Sequence, residues 1–161
     1  MKIAIISDTH DNLNALTAFG EKLKEIKVDY LSHGGDFCAP FTIRAIKNYG
    51  IPMKAVFGNN DGDKPLLTKS AEGFAEIKEA PYIFELGNRN FAMTHYPESV
   101  NSLAASGQFD VIIYGHTHKL DIRTQPCLII NPGELCGWLT QRKTAVFLDT
   151  DTLITEIIEL I

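Results

Sequence analysis

Short apolar runs along the chain end in polar tips, and in the first third each tip leads into a helical pattern. Residues 2–7 read as a buried strand built on Ile3-Ala4-Ile5-Ile6, with the tip Ser7-Asp8-Thr9-His10. Leu13, Leu16, Phe19, Leu23 and Ile26 recur at helical spacing and predict a helix over 12–26, capped by Asp11 or Asn12. A second strand over 28–32 ends at His33-Gly34-Gly35-Asp36. Pro40 then opens a helix carrying Phe41, Ile43, Ile46 and Tyr49, and Gly50 closes it. A third strand over 52–57 ends at Gly58-Asn59-Asn60-Asp61. Strand, tip and helix repeating in this way predict parallel β-α-β units.

From 64 to 80 the pattern weakens, and only a short helix near 65–70 is predicted. Residues 82–86 and 90–94 predict a hairpin turning at Gly87-Asn88, its second strand ending in His95. A helix over 99–107 would pack through Val100, Leu103 and Ala104. A strand over 110–114 follows, and the chain leaves it at Gly115-His116-Thr117-His118. Four short strands close the chain, at 120–124, 127–130, 144–148 and 153–159. With no helices between them, they predict antiparallel pairing. Without a repeat or linker, 161 residues are expected to form a single domain, residues 1–161.

Composition narrows the function classes. Hydrophobic content of 45% with 22% charged residues is that of an ordinary globular chain. No apolar run approaches the roughly 20 residues of a membrane span, and 2–6 is too short for a signal peptide. The formal charge of −5, without a cluster of Lys and Arg, argues against a nucleic-acid partner gripped through its phosphates. Cys38, Cys127 and Cys136 are an odd set without paired spacing, which points to a reducing compartment, the cytoplasm.

The tips hold the candidate chemistry. On extended backbone, residues i and i+2 point to one side, so His116 and His118 are expected to face one volume beyond their strand. Asp8, His10, Asp36, Asn59 and His95 also follow strand ends, where open α/β sheets bind ligands. Singly, each has an ordinary reading: Asp8 and Asp36 as helix caps, Asn59 in a turn, His95 as a buried histidine. Together the two carboxylates, four imidazoles and one amide exceed one tetrahedral site. They suit two ions about 3.5–4 Å apart, bridged by a carboxylate. A His/Asp/Asn shell without thiolate fits manganese, iron, zinc or nickel rather than calcium.

Asp8-x-His10, Gly35-Asp36, Gly58-Asn59, His95 and Gly115-His116-Thr117-His118, in this order, resemble the calcineurin-like metallophosphoesterase signature. Small size and the ending Asn131-Pro132-Gly133-Glu134 resemble its compact archaeal and bacterial phosphodiesterase branch. The resemblance implies an α/β fold, a four-layer α-β-β-α sandwich with two mixed sheets flanked by helices. It further implies that Asp8, His10 and His118 hold a first metal, that Asn59, His95 and His116 hold a second, and that Asp36 bridges them. Manganese heads the expected ions. The implied reaction is attack on a small-molecule phosphodiester by a metal-bridging hydroxide, in a chain that forms homodimers or homotetramers. The competing class is a non-catalytic interaction scaffold of the same fold, like the retromer subunit.

Two departures from the family pattern matter. Relatives often carry a histidine after Gly-Asn as a phosphate contact or general acid, and here Asn60 stands there. An amide can hydrogen-bond a phosphoryl oxygen but cannot supply a proton near neutral pH. Asp61 either orients Asn60 or serves the turn. Tyr96-Pro97 follows His95 where relatives often have Gly-His. His33 reads either as a packed core histidine or as a support for Asp36, and Trp138-Leu139 either as core or as an oligomer contact.

Overall fold

The computed structural model describes residues 1–160. Eleven strands and four helices follow one another: β1 (Lys2–Ile6), α1 (Leu13–Glu25), β2 (Tyr30–His33), α2 (Pro40–Lys47), β3 (Met53–Val56), α3 (Lys64–Ala71), β4 (Ala75–Lys78), β5 (Tyr82–Leu86), β6 (Arg89–Met93), α4 (Val100–Ala105), β7 (Val111–Ile113), β8 (Leu120–Arg123), β9 (Leu128–Pro132), β10 (Lys143–Asp149) and β11 (Thr155–Leu160). A 3-10 turn at Pro97–Ser99 precedes α4.

The strands form two mixed sheets, six-stranded in the order β11-β10-β1-β2-β3-β4 and five-stranded in the order β5-β6-β7-β9-β8. Strands β1 to β4 run parallel, and β10 and β11 are added antiparallel at one side. In the second sheet β6, β7 and β9 run parallel between the antiparallel β5 and β8. Alternation along each central strand explains the stacking of layers. Ile3 and Ile5 point between the sheets with Val111, Ile113, Leu128 and Ile130. Ala4 and Ile6 face α1 to α3 through Leu16, Phe19, Ile43 and Leu67. On the outer face of the second sheet, Ile112 and Ile129 meet Val100 and Ala104 of α4. The result is the expected α-β-β-α sandwich. Strands covered on both faces read as continuous apolar runs, which is why β1 and β7 are plain in the sequence.

Some expectations need correction. β4 lies in a stretch expected to be irregular, yet it pairs parallel with β3 along Met53 to Val56. It is an edge strand with only Ile77 buried, flanked by the exposed Glu76 and Lys78. Phe41 is not a packing residue of α2 and is 61% exposed. Two residues apart on a helix face nearly opposite ways, so Phe41 cannot share a face with Ile43. β9 pairs antiparallel with β8 but parallel with β7, so the last third is not wholly antiparallel. No helix among the described residues is long and apolar enough to cross a membrane.

Candidate metal centre

The carboxyl ends of β1, β2, β3, β6 and β7 open onto one edge shared by the two sheets, and the polar tips meet there. Beyond the strands the tips are joined backbone to backbone. Asp8 N donates to Gly35 O, Thr9 N and His10 N to Asp36 O, and Asp11 N to Phe37 O, at 3.0–3.2 Å. The motif glycines answer a need for space. A Cβ at Gly58 would lie 2.2 Å from Asp36 Oδ1, and one at Gly115 would lie 2.1 Å from Ser7 Oγ and 2.9 Å from Asp8 Oδ2.

Five of the seven predicted donors have left-handed backbone: Asp8 (φ 52°), His10 (39°), Asp36 (62°), His116 (68°) and His118 (59°). Such conformations cost on the order of 1–3 kcal/mol each and cluster at functional sites. Fully buried Val111, Ile112 and Ile113, at about 1.5–3 kcal/mol each, anchor the strand that carries the last two. The same torsions overturn the extended geometry expected for His116 and His118. Their rings part. His118 stacks on His10 with centroids 5.1 Å apart and 22° between planes, while His116 meets His95 edge-on at 5.1 Å.

Two donor groups result. In the first, Asp8 Oδ1 lies 3.5 Å from His118 Nε2 and 3.9 Å from His10 Nε2. In the second, Asn59 Oδ1 lies 3.1 Å from His95 Nε2 and 2.9 Å from His116 Nδ1. Asp36 Oδ2 stands 3.5 Å from both His10 Nε2 and His95 Nε2, so one oxygen touches each group. Burial opposes the Asp36 anion, but the His95 ring and the Asn60 backbone and amide hold its carboxyl well below the usual range. Burial raises Asp8 despite Ser7 and the neighbouring imidazoles.

The chemistry of the set fits cations. His95 Nδ1 lies 2.8 Å from Gly34 O, and His118 Nδ1 lies 2.7 Å from Glu134 Oε2. Both partners offer only lone pairs, so these nitrogens carry protons, and each ring in its neutral form turns an Nε2 lone pair toward the carboxylates. Lone pairs from nitrogen, carboxylate and amide thus converge on one small volume, an arrangement that suits a cation. His10 Nε2 is buried and has no hydrogen-bond partner among the described residues.

The remaining expected site residues fall differently. Asn60 N and Nδ2 donate to Asp36 Oδ1 and Oδ2 at 2.8 and 2.7 Å. Asp61 makes no hydrogen bond to Asn60. It is buried, and its oxygens accept from the backbone N–H of Asp36 (3.1 Å), Cys38 (2.8 Å) and Gly58 (2.7 Å), which ties the β2 tip to the β3 tip. His33 is both core and support. It stacks on Phe37 at 3.8 Å and joins Thr9 Oγ1 to Gly35 N at 3.1 Å each. Asn12 caps α1, whereas Asp11 accepts from Ala39 N and Thr42 Oγ1 at the start of α2. Missed from the sequence is Glu134, behind His118. Cys38 Sγ lies 3.3 Å from His10 Nδ1. Tyr96, 43% exposed, stands edge-on to His95 and His116 at 5.2 and 4.9 Å.

This sandwich, with its donors at the shared sheet edge, defines a metallophosphoesterase. Residues 1–153 match the calcineurin-like phosphoesterase superfamily domain, and the chain belongs to that superfamily. A phosphodiesterase of Methanocaldococcus jannaschii is 38% identical over 159 residues, 94% of each chain. The solved structure of an archaeal phosphodiesterase superposes with a TM-score of 0.92 at 36% identity, covering 99% of this chain and all of that one. The zinc complex of Vps29 from Entamoeba histolytica shares the fold, with a TM-score of 0.69 at 17% identity over 99% of each chain. The protein is a metal-dependent phosphoesterase, a hydrolase of a family that works with divalent ions.

Proposed function

We propose that this chain hydrolyses small-molecule phosphodiesters with two divalent transition-metal ions, manganese first among them. Asp8, His10 and His118 would hold one ion and Asn59, His95 and His116 the other, with Asp36 common to both. The observation that carries this reading is Asp36 Oδ2, 3.5 Å from a ring nitrogen of each group. When bound, such ions polarise the phosphoryl group as Lewis acids and supply a nucleophile usable at neutral pH. The first-row affinity order leaves the choice of ion to availability. The three free cysteines accord with a reducing compartment, which we take to be the cytoplasm. A scaffold would have no use for seven converging donors.

The chain's own residues shape the substrate preference. Asn60 stands at the mouth and can donate an amide hydrogen to a phosphoryl oxygen but cannot protonate a departing alkoxide. Diesters with acidic leaving groups are therefore the substrates it serves best. The test is metal content together with turnover of paired nitrophenyl monoesters and diesters, for wild type and Asp36→Ala. Two ions per chain, faster diester turnover and loss of both ions in the variant are expected. Faster monoester turnover would remove the diester assignment, and full metal content in Asp36→Ala would remove the bridging role.

A further inference from the structure

Glu134 lies outside the donor set, yet it is the most heavily bonded carboxylate near it. It is fully buried. Its Oε2 accepts from His118 Nδ1 at 2.7 Å and from Cys136 Sγ and Trp138 N at 3.1 Å each. Its Oε1 accepts from Leu139 N at 2.9 Å, from Thr140 Oγ1 at 2.7 Å and from Thr140 N. One carboxylate thus holds a ring of the first donor group and the turn over 136–140. That turn carries Trp138 and Leu139, 62% and 73% exposed, and Trp138 Nε1 reaches the His10 carbonyl at 3.5 Å. The same segment is pinned to the first group's backbone, since Cys136 N donates to Asp8 O at 3.1 Å.

We infer that Glu134 is a positioning residue that couples the His118 imidazole to the Trp138 turn, so that the first metal position and the rim beside it are organised together. This rests on the two-metal reading above. Two physical arguments carry it. A carboxylate can only accept, so it fixes His118 with its proton on Nδ1 and its Nε2 lone pair toward Asp8. The site is also specific for an anion. Every neighbour is a donor, and a glutamine would have to turn its NH2 against either the Trp138 side or the Thr140 side. Turned toward His118, that NH2 would force the proton onto Nε2, where the ion should sit.

Trp138 is the only tryptophan of the chain, so its emission reports the turn directly. The experiment is a zinc titration of the full chain, wild type and Glu134→Gln, followed by calorimetry and tryptophan emission. Zinc is suitable because it has no redox chemistry of its own. Wild type should bind two ions, with an emission change that tracks one of them. Glu134→Gln should weaken one ion by roughly 10–100-fold, keep the other, and lose the emission change. Equal binding of both ions by the variant would overturn the inference while leaving the two-metal reading intact. Absence of zinc binding by wild type would instead overturn that reading. A wild-type emission that ignores zinc would overturn the coupling. Should the variant not fold, long-range proton–nitrogen spectra of the metal-free wild type decide. Protonation of His118 at Nδ1 supports the inference and protonation at Nε2 defeats it.

Discussion

The two donor groups that meet at Asp36 differ in charge and in what stands behind them. The first has a carboxylate of its own, Asp8, and a second carboxylate, Glu134, bonded to the back of His118. Hydrogen bonds from His118, Thr140 and Cys136 outweigh burial and hold Glu134 down to about 2, so it stays anionic. The second group has no carboxylate of its own. Asn59 contributes an amide oxygen, and His95 is oriented by a backbone carbonyl, Gly34 O. Ligand charge count tunes the affinity of a cation site. On the two-metal proposal this difference leads us to expect tighter binding beside Asp8 than beside Asn59, which faces Tyr96.

Removing the charge that makes the difference should have the largest effect. Asp8→Asn is expected to weaken the first position by more than about 100-fold, beyond the range seen for residues that only orient ligands. Manganese calorimetry should then show one ion per chain in place of two. If both steps survive unchanged, Asp8 does not set the order. The converse change sharpens the comparison. Asn59→Asp gives the second group its own carboxylate and should tighten the weaker step by on the order of tenfold, narrowing the gap between the two affinities. A weaker second step in that variant would show that geometry, not charge, distinguishes the positions.

How the donors divide between the groups is only partly legible in the residues. The strands that carry them are legible because both faces of β1 and β7 are buried, and the tips follow directly. Spacing alone does not separate His116 from His118, since their partition depends on two left-handed torsions that a His-x-His pattern does not announce, and only the family resemblance divides them. Asp61 reads as a companion of Asn60 because they are adjacent, but its partners Asp36 and Cys38 arrive from another loop. Glu134 is 16 residues from His118 and its bond depends on the turn after β9, which no local pattern encodes. β4 is missed for a simpler reason: four residues with one buried side chain give too little alternation to count.

The smallest expected effect concerns the ground under the shared carboxylate. His33 sits beneath the Asp36 turn, and burial pulls its imidazole down to about 3 against the opposing pull of Asp36. Its Nδ1 also faces the Gly35 N–H, a donor that a protonated ring could not accept. In the unfolded chain the same ring titrates near 6.5. Between those values the unfolded state binds one more proton than the folded one, so stability contributed by neutral His33 is present above pH 6.5 and is lost as pH falls toward 3. The expected loss from this residue between pH 7 and 5.5 is about 1 kcal/mol. His33→Asn keeps an acceptor near Gly35 N but no titratable ring. Urea unfolding of both proteins in chelator, across that range, isolates the term, because the other four histidines are common to both. The variant should be less stable at pH 7, through loss of the Phe37 stack, and should fall off less steeply toward acid. Parallel pH profiles would show that His33 already carries its proton in the folded chain, and would remove it as the neutral support of the Asp36 turn.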